Sequence, residues 1–306
     1  MKKYYPEGVL FESRQNKKRT ESLSALKESF FEGRILEARA NMCDREHNLF
    51  VELGPVQGVI PREECALDTG GGVRDIAVLS RVNKPVAFKI TDFFDDETGI
   101  RTALLSRRAV QEECMEEYIK NLTPGDIIDA RVTHNEPFGS FCDIGCGVCA
   151  LLPIDSISVS RIPHPDARVL PGDMIRAVVK SIDEQNRVTL SQKELLGTWE
   201  ENAKSYKAGQ TVSGIVRSIE KYGVFIELAP NLAGLAEYDP RVREGDSAGV
   251  YIKSINPEKM KIKLAIVDSF KANYEKTPPK YFFEGDRMDY WRYSPDCCDK
   301  VIDSIF

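Results

Sequence analysis

The sequence predicts an all-β chain of three tandem five-stranded barrels joined by short helices. Three observations predict it. A pattern of glycines and β-branched residues recurs three times along the 306 residues, with aromatic residues joining it in the second and third copies. Within each copy the apolar residues alternate with a period of two rather than 3.6. Between copies lie stretches rich in Glu, Lys, Ala and Leu with apolar residues at helical spacing. Copies of about 60 to 75 residues are too short for a two-sheet sandwich, whereas five short strands closed into a barrel bury one face each and leave no long edge.

The elements follow in order. Residues 1–32 are an extension with a helix over Ser22 to Phe31, and residues 33–108 are the first copy, running from Gly33 through Gly58 and Pro61 to Leu105 and Ser106. A helical linker (109–123) leads to the second copy (124–193), where Gly125, Ala130, Val132, Phe138, Gly139 and Phe141 set the pattern. A second linker (194–208) precedes the third copy (209–268), which repeats it as Gly209, Gly214, Val216, Tyr222, Gly223 and Phe225, 84 residues on. Gly172 and Asp173 answer Gly245 and Asp246, so the loop before them is 11 residues shorter in copy three. Residues 269–306 form a tail containing Tyr281, Phe282, Phe283, Tyr290, Trp291 and Tyr293, too aromatic for ordinary disorder and expected to pack on a barrel or a partner.

Composition bounds the function. With 42% hydrophobic and 29% charged residues and a mean hydropathy of −0.33, the chain reads as an ordinary globular protein. No apolar run approaches the roughly 18 residues of a membrane span, and the start lacks a signal peptide's apolar stretch, so a cytoplasmic location is expected, with no membrane partner and eight reduced cysteines. A net charge of −6 argues against a protein that coats duplex DNA without specificity. The charge is unevenly placed: residues 31–106 carry 9 basic against 13 acidic residues, whereas residues 209–268 carry 8 of each.

The outward faces carry the informative residues. With Val224, Ile226 and Leu228 inward, Phe225 and Glu227 face out; in copy two Ser140, Cys142 and Ile144 face in, and Phe141 and Asp143 face out. Phe138 or Tyr222 sits three residues before each outward phenylalanine. Cations fall near these rings: Arg131, Arg176, Lys180 and Arg187 in copy two, and Arg217, Lys221, Lys253, Lys261 and Lys263 in copy three, with His134 at the outer end of a strand. Aromatic platforms flanked by cations suit unpaired nucleic acid, since bases offer stacking faces and Lys or Arg follow the phosphates. A-form RNA hides its major groove, which makes single-stranded RNA the expected ligand.

These residues resemble the S1 RNA-binding domain, an oligonucleotide-binding (OB-fold) barrel found in tandem in the largest protein of the bacterial small ribosomal subunit. Copy three carries most of the pattern in Gly209, Gly214, Val216, Ile219, Tyr222, Gly223, Phe225, Ile226, Gly234, Leu235, Gly245 and Asp246. The resemblance implies RNA contact through Phe138, Phe141, Tyr222, Phe225 and their basic neighbours. It departs at Pro153 and Glu237, where the family often has histidine, and in copy one, where Glu46 and Leu49 align with the aromatics. It implies a bacterial protein that holds single-stranded mRNA near the small ribosomal subunit, with copy one as the anchor. The alternatives are a protein-interaction adaptor for a ribosomal or transcriptional partner, or an accessory RNA-binding subunit of an RNA-degrading assembly.

No other chemistry stands out. Zinc on Cys142, Cys146 and Cys149 would need His134 or a distant group as its fourth ligand, with Cys142 facing inward and no second C-x-x-C in the chain, so no metal and no other cofactor is expected. Phosphate loops, nucleophile elbows and zinc-protease motifs are missing from the sequence, so it is read as a non-enzyme without a small-molecule substrate. Asp95, Asp96, Glu97 and Gly99 read as a solvated turn, and His47 and His164 carry no signal.

Overall fold

The computed structural model describes residues 4–67, 72–95, 101–271 and 278–306. Asp96, Glu97 and Gly99 lie outside the described residues. Three closed five-stranded barrels follow one another along the chain. The first contains β1 (Leu36–Cys43), β2 (Leu49–Glu52), β3 (Gln57–Ile60), β4 (Pro85–Asp95) and β5 (Arg101–Ser106). The second contains β6 (Ile127–Glu136), β7 (Gly139–Asp143), β8 (Cys149–Pro153), β9 (Met174–Ile182) and β10 (Val188–Ser191). The third contains β11 (Thr211–Glu220), β12 (Gly223–Ala229), β13 (Leu232–Ala236), β14 (Ser247–Asn256) and β15 (Lys261–Phe270). Each closes in the same order, with its third strand parallel to its fifth and its fourth beside its fifth.

Alternation produces this. Val216, Val224, Ile226, Ala236, Val250, Ile252, Ile262 and Leu264 fill barrel three, and Leu36, Leu49, Val51, Ile60, Val86, Phe88, Ala103 and Leu105 fill barrel one, each almost fully buried. Helices are few and short. Leu23–Phe31 is capped by Ser22, whose hydroxyl accepts the Ala25 N–H at 3.2 Å, and Arg108–Glu117 occupies the first linker. In the second linker the expected helix is broken at Gly197, and only Trp199–Ala203 is α-helical, held by a Thr198–Glu201 capping box.

The chain folds as two compact units. One comprises the chain up to Leu122 with Asp129–Arg131 and Asp143–Cys149; the other comprises Thr123–Ile128, Val132–Cys142 and Ala150–Phe306. In the first, the N-terminal segment is sewn down through carboxylates. Glu37 accepts the Gly8 and Phe11 N–H groups at 2.9 and 2.7 Å, and Asp143 accepts that of Glu7 at 2.7 Å. Arg107 reaches Glu7 at 2.6 and 2.9 Å, with both side chains buried. In the second unit, Tyr290–Arg292 and Asp303–Ile305 pair as a hairpin in the tail. Trp291 and Tyr293 join the core of barrel three, the Tyr293 hydroxyl donating to the Asn231 carbonyl at 2.6 Å. Ile127 and Phe282 donate their N–H groups to the Asp286 and Leu195 carbonyls at 2.9 Å each, which ties the tail to barrel two and the second linker.

Candidate nucleic-acid interface

The aromatic corner of barrel two is made by the tight β6–β7 turn. Phe138 stands in the turn, Gly139 opens β7, and Phe141 projects outward two residues later. Their rings meet edge to face with centroids 6.0 Å apart and planes at 88°. Barrel three repeats the corner at β11–β12: Tyr222 and Phe225 meet at 6.1 Å and 89°. The glycine of each motif is set by packing. A Cβ on Gly139 would lie 2.5 Å from the Leu152 carbonyl oxygen, and one on Gly223 2.4 Å from that of Ala236, so only glycine lets the corner press against the third strand. Phe138 is 56% and Tyr222 69% exposed, while Phe141 and Phe225 are half-buried, so each corner offers one free ring and one anchored ring.

The two corners differ in their surroundings. In barrel two His134 lies flat on Phe141, 4.5 Å between centroids and 14° from parallel, adding a third ring. In barrel three Ser218 pairs with Phe225 at the position of His134, so no third ring joins the corner among the described residues. Strand register places Ser218, Phe225, Leu235, Lys263 and Ser254 in one row around the outside of barrel three. Lys263 thus stands two strands from the platform phenylalanine, and Lys261, also exposed, lies farther along the same strand. In barrel two the place of Lys263 is taken by Thr189, which lies between Leu151 and Ser181.

The other cations separate into accessible and engaged groups. Lys221 is exposed in the turn beside Tyr222, and Arg187 extends into solvent at the β9–β10 turn while pairing with Asp183 at 2.6 Å. Hydrogen bonds from the Arg187 backbone and guanidinium hold the Asp183 carboxyl below its ordinary range. Lys180 contacts the Ser156 hydroxyl at 3.2 Å. Lys253 pairs with Glu237 at 2.8 Å and keeps that carboxyl low, so the acid that replaces the family's histidine has its charge countered. Two cations read as phosphate contacts have other partners. Arg176 points its guanidinium at the carbonyls of Phe283 and Gly285 in the tail, at 3.0 and 2.8 Å. Arg217 is paired with Glu227 at 2.9 and 3.2 Å, its side chain only 11% exposed. Both are engaged within the fold, because a buried carboxylate or a row of carbonyls needs these donors.

Glu227 and Asp143 point out of their barrels as expected, yet both are buried. Arg168, from the long loop of copy two, closes over Glu227 beside Arg217, and burial pulls the Arg168 guanidinium below its ordinary range against the attraction of Glu227. Over Asp143 lies the N-terminal segment; burial, and then the charge of Glu7, push its carboxyl up to about 6. The Gly145, Cys146 and Gly147 turn serves this contact. The Cys146 N–H donates to the Tyr5 carbonyl at 2.8 Å, and a Cβ on Gly147, at φ +79°, would overlap the Arg107 guanidinium. Cys146 is buried and Cys149 exposed, and all eight cysteines are free thiols.

Barrel one needs a change of register. Leu49, aligned with Phe141, is fully buried, and its neighbour Phe50 faces outward. Phe50 lies between Met42 and Val59, as Phe225 lies between Ser218 and Leu235. The first hairpin is one residue longer than the others, with Asp44 gathering the Glu46 and Asn48 N–H groups in a wider turn, so a fixed offset misplaces the second strand by one. The alternation of Leu49 and Val51 was the available signal. The face remains poor in rings and cations: Met42, Val59 and Leu104 flank Phe50, and His47 takes the corner position, its Nε2 3.7 Å from Asp75.

Comparison with known proteins places this geometry. The S1 RNA binding domain model matches residues 29–104 and 121–193. Small ribosomal subunit protein bS1 of Staphylococcus aureus (strain COL) is 26% identical over 276 residues, covering 85% of this chain and 68% of that protein. The bS1 homolog of Bacillus subtilis is 29% identical over 292 residues, covering 85% of this chain and 73% of the homolog. Among solved structures, a multidomain protein with nucleic acid binding domains from Streptococcus pneumoniae aligns over 77% of this chain and 74% of its own, at 13% identity and a TM-score of 0.25. The third barrel lies outside the matched residues but shares their strand order and repeats the ring corner of barrel two. Residues 29–104 and 121–193 of the chain are thus S1 RNA binding domains, and the chain as a whole is similar to small ribosomal subunit protein bS1.

Proposed function

We propose that the chain holds single-stranded RNA, mRNA above all, against the ring corners of barrels two and three and works in translation at the small ribosomal subunit, in the cytoplasm. The observation that carries this reading is the repetition of one exposed ring pair, at 6.0 Å and 88° and again at 6.1 Å and 89°, at the same turn of two barrels. A base stacked on an aromatic ring is worth about 1 to 3 kcal/mol, and Lys221, Lys261, Lys263 and Arg187 supply charge for phosphates without reading sequence. Lys180, Lys253 and His134 join them when their present contacts exchange for RNA. Two weak platforms on one chain act as one stronger site, because the second contact is intramolecular once the first is made.

The test is the double variant Phe141→Ala with Phe225→Ala. Affinity for an unstructured RNA falls more than tenfold while the fold is kept; unchanged affinity refutes the platform. Barrel one, with the acidic segment and, among the described residues, no ring pair at its first hairpin, is proposed as the contact to the small subunit. Sedimentation with ribosomes that survives loss of RNA binding supports that role. An adaptor without RNA affinity ignores labelled oligonucleotides, and an accessory factor of RNA decay co-purifies with a nuclease in place of the small subunit.

A further inference from the structure

We propose that the groove around Glu52 on barrel one is a docking site for an arginine-bearing loop of a protein partner, equivalent to the contact that Arg168 makes with Glu227 on barrel three. The barrels themselves carry the argument. Glu227 follows the platform phenylalanine Phe225 by two residues and pairs across β12–β13 with Ala233. Glu52 follows Phe50 by two residues and pairs across β2–β3 with Gln57. Arg217 sits at the bulge of β11 between Val216 and Ser218, and Asn41 at the bulge of β1 between Ala40 and Met42. Glu52 and Asn41 therefore occupy the positions of Glu227 and Arg217.

In both later barrels this position is covered by an earlier part of the chain. On barrel three the long β8–β9 loop delivers the Arg168 guanidinium to the Glu227 carboxylate, and the N–H groups of Val159 and Ser160 to Asn231 Oδ1 and the Pro230 carbonyl, at 2.9 and 3.3 Å. Arg168 and Glu227 are left 9% and 5% exposed. On barrel two the corresponding acid, Asp143, receives the Glu7 N–H from the N-terminal segment. The rule is an outward acid beside the platform, closed by a donor-bearing segment.

Barrel one has the acid and, among the described residues, no cover. Glu52 is exposed, and among the described residues its carboxylate has no hydrogen bond or ion pair. A groove of about 410 Å³ surrounds it, lined by Asn41, Glu52, Gly54, Pro55, Val56 and Gln57. With Asn41 in place of Arg217, the carboxylate lacks an internal cation at that position. A phosphate is repelled here. A guanidinium fits, since its fork of donors can meet the carboxylate in bidentate fashion and still reach the amide oxygens of Asn41 and Gln57. The occupant is thus a protein loop presenting arginine, and this site is independent of RNA binding on barrels two and three.

The probe is a synthetic peptide spanning residues 158–170 of this chain, whose Arg168 fills the equivalent position on barrel three. It is titrated into the full isotopically labelled chain and followed by amide shifts in nuclear magnetic resonance. The expected result is saturable shifts at Asn41, Glu52 and Gly54, at least tenfold weaker binding for the peptide carrying Arg168→Ala, and a similar loss for the Glu52→Gln chain. That chain keeps its spectrum and its RNA affinity. No saturable shift at these amides, equal binding by the Glu52→Gln chain, or an RNA oligonucleotide producing the same shifts overturns the proposal. Loss of RNA binding through Phe141→Ala and Phe225→Ala leaves it standing.

Discussion

The imidazole of His134 lies flat against the phenyl ring of Phe141, centroids 4.5 Å apart and planes 14° from parallel, across the β6–β7 ladder. Barrel two therefore presents a stack two rings deep with Phe138 edge-on to it, whereas barrel three presents Phe225 beside Ser218. The two corners share a geometry and differ in what flanks the anchored ring.

That difference can be measured. His134→Ala is expected to weaken RNA binding by a few-fold, less than Phe141→Ala, because the histidine extends the stack without anchoring it. Ser218→His is expected to strengthen binding by building the missing ring onto barrel three. Fluorescence anisotropy with an unstructured RNA decides both; an unchanged affinity for Ser218→His contradicts the stacking reading.

Cations near the corners separate by salt dependence. Lys263→Ala removes an exposed charge from the platform row and is expected to lower affinity several-fold and flatten the dependence of log K on log salt by about 0.7, the value for one single-strand phosphate. Arg176→Ala, whose donors go to tail carbonyls, is expected to leave that slope unchanged. Titration of binding against salt for the two variants tests the assignment.

Glu227 holds two buried guanidinium groups, so Glu227→Ala strands Arg168 and Arg217 without their acid. The expected loss of stability is about 3 to 5 kcal/mol, the range for breaking a buried ion pair by removing one partner. Urea unfolding measures it, and a loss below about 1 kcal/mol shows that water reaches the cluster.

Glu37 makes the first compact unit sensitive to pH in an unusual direction. Burial, joined by the charges of Glu7 and Asp143, raises its carboxyl to about 7, against the N–H groups of Phe11 and Gly8, which lower it. A carboxyl raised on folding binds protons more tightly in the folded state, so its contribution is full below its ordinary value of 4.5 and is lost as pH rises through 7. The loss amounts to about 3 kcal/mol. Asp143, raised to about 6, acts in the same direction; Glu7, held low by Arg107 against its burial, acts oppositely. Glu37→Gln is expected to gain stability relative to the wild type between pH 5 and 7, with the difference level above pH 8, as read by urea unfolding at each pH.

Much of the architecture was legible in the chain. The period-two alternation of Val224, Ile226 and their counterparts specified strands with one buried face, and recurrence of the glycine and apolar pattern specified three barrels, two of them with an aromatic-glycine turn, because register and side-chain direction are local properties of an extended backbone. The ring pairs followed, since a turn three residues before an outward phenylalanine places both rings on one corner. Barrel one escaped a fixed offset because a single extra turn residue reverses which neighbour faces out, leaving Leu49 inside and Phe50 outside.

Sequence by itself determined the strands, the repeat and the candidate rings. Tertiary structure alone decided which charges are engaged within the fold. Arg217 and Lys263 look alike in the chain, yet one is buried against Glu227 and the other stands in the open in the row of the platform, two strands away. The difference arises because Arg168 arrives from a loop 59 residues away to close over the same acid, and desolvation of that cluster, rather than proximity in sequence, commits a guanidinium to the fold. The same contact is absent among the described residues at Glu52, which leaves barrel one's outward acid exposed.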